Sequence, residues 1–368
     1  MLHKIKSYIA LLDSKTRMYV LLFLYHACFM SFAYLYRVQR GMSDAHLYWG
    51  LKEDVVIDRW LDFASYGTKF IIFLNYPFIK LGFPFWFGFL LYGLVGFLGI
   101  VKWIQWIENV VGSQIVIKGV NVLPLLFFLP NLHIWTAALG KDALVFFGVA
   151  TIFYNMSINK LKGLSFYVGI LLVLIIRPHI AAILLMAIVL VLFFDGKLSR
   201  SKKFLVGSIS ISLLAIFGFM VLKLVNINSL NWDYIKYKND KCILSFEPSG
   251  SYVPMLEYSY PYKLFSFNFR PLFFDASSMM QYLASIENLF FLLIFIVSLV
   301  VFILTYKRIT LPKWAYIVIV FNVIASVLFV QRCANLGLFM RFKIMFQPFL
   351  IIVFIYILLQ GLTLNKQK

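Results

Sequence analysis

Asp44 opens the first long polar segment of the chain, and its carboxylate is the side chain best placed for chemistry. The segment begins with Gly41–Trp49, directly after an apolar run. A carboxylate there could be a general base toward an acceptor hydroxyl, or could help to hold a divalent cation such as Mg²⁺ or Mn²⁺. Glu53 and Asp54 could complete that cation site. In the alternative interpretations, Asp44 is a helix N-cap, and Glu53 and Asp54 lie on a solvent-exposed face.

Basic side chains at the boundaries of the apolar runs form the second candidate group. Arginine binds phosphate oxygens through two parallel hydrogen bonds, which suits a pyrophosphate leaving group, and lysine adds a point charge. His179, close to one of these arginines, is a candidate general base. In the opposing readings Arg177 caps helix carbonyls or pairs with a carboxylate, Lys141 lies in a solvated turn, and the cations near position 341 snorkel to anionic lipid. The candidate (pyro)phosphate-binding residues are Lys141, Arg177, Arg270, Arg332, Arg341 and Lys343.

The composition of the 368-residue chain is that of a membrane protein. It is 62% hydrophobic and 13% charged, whereas soluble domains are about 45–50% apolar and about 25% charged. This excludes soluble nucleotide-binding folds, secreted disulfide scaffolds and disordered proteins. The net charge of +19 is explained by basic cytoplasmic loops facing a lipid bilayer rather than by nucleic acid. Cys242 and Cys333 fall in polar loops and could pair if they share an oxidising side.

The apolar runs predict the order of the membrane segments. Basic residues ahead of the first run, Met18–Tyr36, place the N-terminus in the cytoplasm. Residues 37–67 form the first outer loop, part of which has the helical spacing of a membrane-surface segment. Thr68–Gly82 is short and contains Pro77, so it is predicted to be re-entrant, whereas Pro84–Lys102 is a full span.

Further apolar segments follow, and the basic loop 195–203 orients them. It is the most basic loop of the chain and is therefore placed in the cytoplasm, which makes residues 226–287 a large outer loop. If Thr68–Gly82 crossed the membrane instead, this loop and the C-terminus would face outward, against the positive-inside rule. The further segments are Val120–Trp135, Ala143–Met156, Leu164–Ile176, Ile180–Phe194, Phe204–Val225, Leu289–Thr305, Ala315–Val330 and Ile344–Leu359.

The predicted fold class is an all-α, polytopic integral membrane protein with roughly ten transmembrane or re-entrant helices. It is one domain, residues 1–368, with both termini cytoplasmic. All but three of the 15 acidic residues fall on the extracytoplasmic side with the candidate cations, as an enzyme working on that face would need. Leu164–Ile176 is only about 20 Å long against a hydrocarbon core of about 30 Å. Arg177 and His179 are therefore expected below the outer surface, within a protein-lined cavity.

Two short motifs carry a resemblance to known enzymes. Asp44 followed by Tyr48 resembles the acidic residue and tyrosine in the first outer loop of C-superfamily glycosyltransferases. Arg341 and Lys343 ahead of Pro348 are similar to the basic region before a late span in many such enzymes. On these motifs and on its predicted topology, the chain resembles polytopic bacterial envelope-glycan enzymes, which include O-antigen and capsule polysaccharide polymerases. An adjacent pair of acidic residues at Asp44 is missing, and so is a large soluble C-terminal domain.

The resemblance implies a polyprenyl-phosphate- or pyrophosphate-linked sugar as substrate, in the plasma (inner) membrane of a bacterium. An acceptor hydroxyl would displace the carrier at the anomeric carbon on the extracytoplasmic face, with Asp44 as base and the cations stabilising the departing (pyro)phosphate. In a repeat-unit polymerase of the same architecture, His179 would be the base. A flippase or exporter of lipid-linked oligosaccharide, and a scaffold, are the non-enzyme alternatives. The implied partners are the lipid-linked substrate, the bilayer and other polysaccharide-assembly proteins.

Overall fold

The structure is a computed structural model that describes most of the chain. The described residues are 13–41, 43–52, 59–117, 120–194 and 231–366, with scattered residues between 199 and 219. The predicted span Phe204–Val225 and the basic loop ahead of it lie largely outside the described residues. The chain divides into two compact units, Met1–Ile176 and Arg177–Lys368, a division that no feature of the sequence predicts.

The first unit consists of helices joined by short connections and one small hairpin. A 3₁₀ turn covers Trp60–Phe63, and the antiparallel hairpin pairs strand β1 (Val116–Ile117) with β2 (Val120–Asn121). The helices are α1 (Ser14–Arg40), α2 (Asp44–Tyr48), α3 (Thr68–Lys80), α4 (Phe85–Val110), α5 (Leu123–Phe127), α6 (Pro130–Thr136), α7 (Lys141–Ser157) and α8 (Leu164–Ile176).

Local sequence signals explain where α1 begins and ends. The carboxylate of Asp13 occupies the N-cap position and accepts hydrogen bonds from the backbone N–H groups of Lys15 and Thr16, both at 3.0 Å. Such a cap satisfies N–H groups that have no partner within the helix. At the other end Gly41 has φ of +66°, a conformation that glycine adopts without steric strain. The helix thus stops near the start of the predicted first outer loop.

Glycines on α4 allow its neighbours to approach closely. A Cβ atom at Gly96 would lie 1.9 Å from the carbonyl oxygen of Thr136 at the end of α6. A Cβ at Gly99 would lie 2.9 Å from the Cα of Phe147 in α7. Close approach of backbones through small residues is typical of helix packing in membranes. These glycines therefore fix how α4 packs against α6 and α7.

The prediction that Val120–Trp135 forms one continuous helical span is wrong. Its first two residues belong to strand β2, and the rest is divided between α5 and α6. Pro124 and Pro130 each stand near the start of one of these short helices. Proline lacks a backbone N–H and disfavours helix in the residue before it, so it favours a new helix start over continuation.

The second unit is also helical in its described residues. Helix α9 (Pro178–Phe193) packs against α13 (Lys313–Phe329), which packs against α15 (Gln347–Lys366), and α15 packs against α12 (Met279–Thr305). The described residues of the large predicted outer loop contain two complete helices, a 3₁₀ turn at Phe273–Asp275 and the first turns of α12. The helices of this unit are α9 (Pro178–Phe193), α10 (Trp232–Leu244), α11 (Tyr260–Phe269), α12 (Met279–Thr305), α13 (Lys313–Phe329), α14 (Leu336–Lys343) and α15 (Gln347–Lys366).

Three helices among the described residues are long and apolar enough to cross a membrane. They are α1, α4 and α12, with 27, 26 and 27 residues, or about 40 Å each at 1.5 Å per residue. Helices α14 and α15 make a fourth candidate if they form one span, but their axes differ by 66°. The shorter α3 and α8, each of 13 residues, match the predicted short segments. The chain is consistent with a membrane protein.

Candidate functional site

The carboxylate of Asp44 is exposed at the start of α2. Ser43, not Asp44, occupies the N-cap position, and its hydroxyl pairs with Nδ1 of His46 at 2.9 Å instead of capping the helix. Burial lowers the pKa of His46, and the positive charges of Arg37 and Lys52 lower it further. His46 is therefore neutral near pH 7.

A chain of hydrogen bonds fixes the other end of α2. The carbonyl oxygen of buried Tyr48 accepts a hydrogen bond of 3.0 Å from Asn75, and the carbonyl of that amide accepts one of 3.0 Å from the hydroxyl of Tyr92. The ring of Tyr48 lies against Gly140, where a Cβ atom would be 3.5 Å from it. Because Lys141 follows directly, the structure brings the predicted first outer loop close to the start of α7.

The Lys141 segment is more than a solvated turn. The ammonium of Lys141 donates to the hydroxyl of Thr68 at 2.8 Å. Asp142 is buried in the first turn of α7, where a carboxylate interacts favourably with the helix dipole. The hydrogen bond between Lys141 and Thr68 ties the starts of α3 and α7 together.

In the second unit, a cluster of cationic and aromatic side chains lies at the start of α9. The guanidinium of buried Arg177 lies over the ring of Phe342, 5.0 Å from its centroid. Phe342 stacks on Phe329 at 4.6 Å, and the ring of His179 meets Phe329 edge-on at 6.0 Å. We call Arg177, His179, Phe329 and Phe342 the arginine–aromatic cluster. It joins the ends of α9, α13 and α14.

Arg332 extends this cluster along the loop after α13. The backbone N–H groups of Arg332 and Cys333 both donate to the carbonyl of Phe329 at 3.0 Å. The guanidinium of Arg332 donates to the side-chain carbonyl of Asn239 at 2.9 Å. Burial raises the pKa of the Cys333 thiol to about 12, although the charges of Arg177 and Arg332 oppose the shift.

Arg270 is held by the fold itself. Its guanidinium forms a two-pronged salt bridge with Asp275 and donates to the hydroxyl of Tyr258 at 3.1 Å. Burial alone would lower the pKa of Arg270, but the hydrogen bonds to Asp275 and Tyr258 outweigh it and raise the pKa. The edge of the guanidinium that would bind a phosphate is occupied by a carboxylate, so the structure indicates a structural role for this residue.

Lys343 also serves the fold. Its side chain is fully buried, and its ammonium donates to the backbone carbonyls of Asn268 and Arg270 at 3.3 and 3.0 Å and to the side-chain carbonyl of Asn288 at 2.9 Å. An ammonium has three N–H donors, so three protein acceptors use them all. Lys343 therefore joins α14 to the end of α11 and to α12. Arg341, two residues earlier, is half-buried in α14.

The predicted cation site is only partly within the described residues. Asp44 is described, whereas Glu53 and Asp54 lie outside the described residues. Within the described part of the chain, no group of three or more histidine, cysteine or acidic side chains could hold a metal ion. Mg²⁺ or Mn²⁺ as a cofactor stays a prediction. The three cysteines are free thiols, and Cys242 donates a hydrogen bond to the carbonyl of Arg332 at 3.5 Å.

Sequence reasoning did not single out the aromatic members of the cluster or a buried histidine pair in the first unit, His26 and His133. With 40 phenylalanines in the chain, Phe329 and Phe342 have no distinguishing signal. His26 does have one, because an ionisable residue within an apolar span indicates function. Comparison with known proteins adds no assignment: no family model matches the chain, and neither a curated protein nor a solved structure is significantly similar to it.

Proposed function

We propose that this chain is a membrane glycosyltransferase of bacterial cell-surface polysaccharide assembly. Its donor substrate is a polyprenyl-(pyro)phosphate-linked sugar or glycan, which it uses at the extracytoplasmic face of the plasma membrane. The observation that carries the proposal is the arginine–aromatic cluster with Arg332 beside it. A guanidinium stacked on a ring makes contact through its face and binds phosphate through its edge, so both contacts can exist together.

The proposed topology has about ten membrane segments with both termini in the cytoplasm. Four candidate spans support it, counting α14 and α15 as one, together with the shorter apolar helices α8, α9 and α13. The distribution of basic loops supports the orientation. In this arrangement the segments that carry Asp44, Arg177 and Arg332 face the extracytoplasmic side.

In the proposed reaction, the acceptor hydroxyl attacks the anomeric carbon of the donor. The bond between that carbon and the carrier oxygen breaks, and the (pyro)phosphate leaves with the bonding electrons. Arg177, Arg332 and Arg341 stabilise the negative charge that develops there. A base takes the hydroxyl proton, and the resemblance implies Asp44 in that role.

A repeat-unit polymerase is the second candidate, with His179 as the base. One observation favours it: His179 belongs to the same aromatic cluster as Arg177. A base beside the leaving-group arginine would suit an enzyme that joins two lipid-linked glycans. The two candidates differ in whether Asp44 or His179 is essential.

Complementation of a deletion strain tests the proposal. Variants Asp44→Asn, His179→Gln, Arg177→Lys and Arg341→Gln would be expressed with Arg308→Gln as a matched control, since Arg308 is exposed. Membrane levels would be measured first, because loss of folded protein would imitate loss of activity. Surface glycan and lipid-linked intermediates would then be resolved by length.

We expect normal membrane levels and a lost ladder for Arg177→Lys and Arg341→Gln, and an unchanged ladder for the control. Loss of all polymer with Asp44→Asn supports the transferase, whereas single repeat units with His179→Gln support the polymerase. A normal ladder from every variant contradicts the proposal. Complete lipid-linked glycan that accumulates in the cytoplasmic leaflet of the deletion strain would instead identify an exporter.

A further inference from the structure

Two histidines that the proposed reaction does not use meet inside the first unit. His26 lies near the middle of α1 and His133 lies in α6, and both side chains are fully buried. Their Nδ1 atoms are 2.9 Å apart, which is a hydrogen-bonding distance. An ionisable side chain buried within a candidate membrane span, such as His26 in α1, suggests a functional site.

The second nitrogen of each ring has a fixed role. Nε2 of His26 lies 3.0 Å from the carbonyl oxygen of Gly93, and Nε2 of His133 lies 2.7 Å from the carbonyl oxygen of Phe127. A backbone carbonyl can only accept a hydrogen bond. Each Nε2 atom must therefore carry a proton, and each ring is fixed in orientation by its donor.

In a neutral pair, no proton is then left for either of the two Nδ1 atoms, which face each other. A neutral imidazole has one N–H, which Nε2 already uses in both rings, so both Nδ1 atoms would present lone pairs across 2.9 Å. One additional proton replaces this repulsion by a hydrogen bond from one Nδ1 to the other. We propose that His26 and His133 together form a proton-binding site that holds one shared proton and a net charge of +1.

The surroundings suit a delocalised cation. The ring centroid of Phe97 lies 5.7 Å from that of His26, and Phe29 lies 5.8 Å from His133. Tyr25, the titratable side chain packed on the pair, meets His133 edge-on at 4.8 Å. Aromatic rings and carbonyl dipoles both stabilise positive charge. A tetrahedral metal ion bound by both Nδ1 atoms at about 2.0–2.1 Å would hold them about 3.3 Å apart, whereas the Nδ1 atoms are 2.9 Å apart. The observed separation is that of a proton.

A cavity provides a route for proton exchange. It has a volume of about 460 Å³ and is lined by polar groups that include Lys15, Tyr19 and Glu108. Lys15 and Glu108 form an ion pair at 2.7 Å. Phe97 lines this cavity and also contacts the ring of His26, so one ring separates the cavity from the pair. When the Phe97 ring rotates aside, a hydronium ion from the cavity can give its proton to the pair and leave as water.

The test counts protons on the pair by NMR of ¹⁵N-histidine-labelled, full-length protein in lipid nanodiscs. The chain has five histidines, and substituting His3, His46 and His179 by glutamine leaves only the pair labelled. Protonated and unprotonated imidazole nitrogens have well-separated shifts. Near neutral pH we expect three protons on the four nitrogens, with a coupling between the Nδ1 atoms. Two protons on four nitrogens would overturn the proposal.

Two further variants keep the test decisive. In His26→Asn the side-chain amide places a neutral N–H near the former Nδ1 position, so it can donate to His133 without an added proton. We expect His133 to be neutral in this variant, and a charged His133 there would contradict the shared-proton assignment. Val101 lines the cavity, and Val101→Trp would narrow it. This variant should slow hydrogen–deuterium exchange of the pair, whereas an unchanged rate would contradict the proposed route.

Discussion

Replacing Lys343 by methionine separates a structural role from a ligand-binding role. The substitution keeps the length and apolar stem of the side chain but removes the ammonium. The carbonyl of Arg270 and the side-chain carbonyl of Asn288 lose the donor that the structure gives them, while the carbonyl of Asn268 still accepts from Gln347 at 2.9 Å. Two buried acceptors are therefore left unsatisfied.

The expected loss of stability follows from these two acceptors. A buried polar group without its partner costs about 1–3 kcal/mol, so two cost about 2–6 kcal/mol. Removing a buried ammonium from the folded state offsets part of this, because a buried charge carries its own desolvation penalty. We expect Lys343→Met to lower the free energy of unfolding by about 2–4 kcal/mol. At roughly 2–4 °C per kcal/mol, the unfolding midpoint falls by between about 4 and 16 °C.

Thermal unfolding of purified protein in one detergent, followed by intrinsic fluorescence, measures this shift. Lys307→Met is the matched control, since Lys307 is exposed and should change stability by no more than about 0.5 kcal/mol. The structural role of Lys343 is refuted by an unchanged midpoint together with lost glycan transfer. That outcome would mean that the ammonium binds ligand, as the sequence predicted.

Three further experiments test other parts of the structure. Gly96→Ala should reduce the yield of folded protein, because its Cβ would meet a carbonyl of α6 at 1.9 Å. Gly207→Ala is the control and should not reduce the yield, because a Cβ there would have no atom within 4 Å. Size-exclusion chromatography compares the two variants. Cys333 should resist maleimide at pH 8 and react only in denaturant, because its raised pKa of about 12 keeps the thiol protonated. Labelling of Cys333 without denaturant would contradict this. Arg270→Met should destabilise by about 3–5 kcal/mol by leaving Asp275 as an uncompensated buried charge, and the added change Asp275→Leu should restore much of that loss in thermal unfolding.

The apolar runs made much of the helical architecture predictable. Leu164–Ile176 has the predicted bounds, because an uninterrupted apolar run bounded by polar turns leaves few alternatives for a helix. The run Val120–Trp135 looked equally apolar but forms a strand and two short helices. Its prolines mark the helix starts, and hydropathy does not weigh the missing N–H of a proline.

The candidate site was predictable only in part. Arg177, His179 and Arg332 were among the predicted site residues; the structure places Arg177 and His179 within the arginine–aromatic cluster and Arg332 beside it. The role of Lys343 was not predictable, because its partners include backbone carbonyls at positions 268 and 270. Every residue has a backbone carbonyl, so no residue type signals such a contact in advance.

The second unit uses its cations in two physically different ways. Lys343 and the salt bridge of Arg270 with Asp275 both secure the irregular segment between α11 and α12. Irregular backbone away from water requires such donors and acceptors, since its own N–H and C=O groups have no helical partners. Arg177 instead contacts an aromatic face at the start of a helix. A cation that secures backbone cannot change its partners during a reaction without unfolding that backbone, whereas a stacked guanidinium can keep its ring contact while its edge binds phosphate. Substitutions at the first kind of cation should therefore change stability, and those at Arg177 should change transfer.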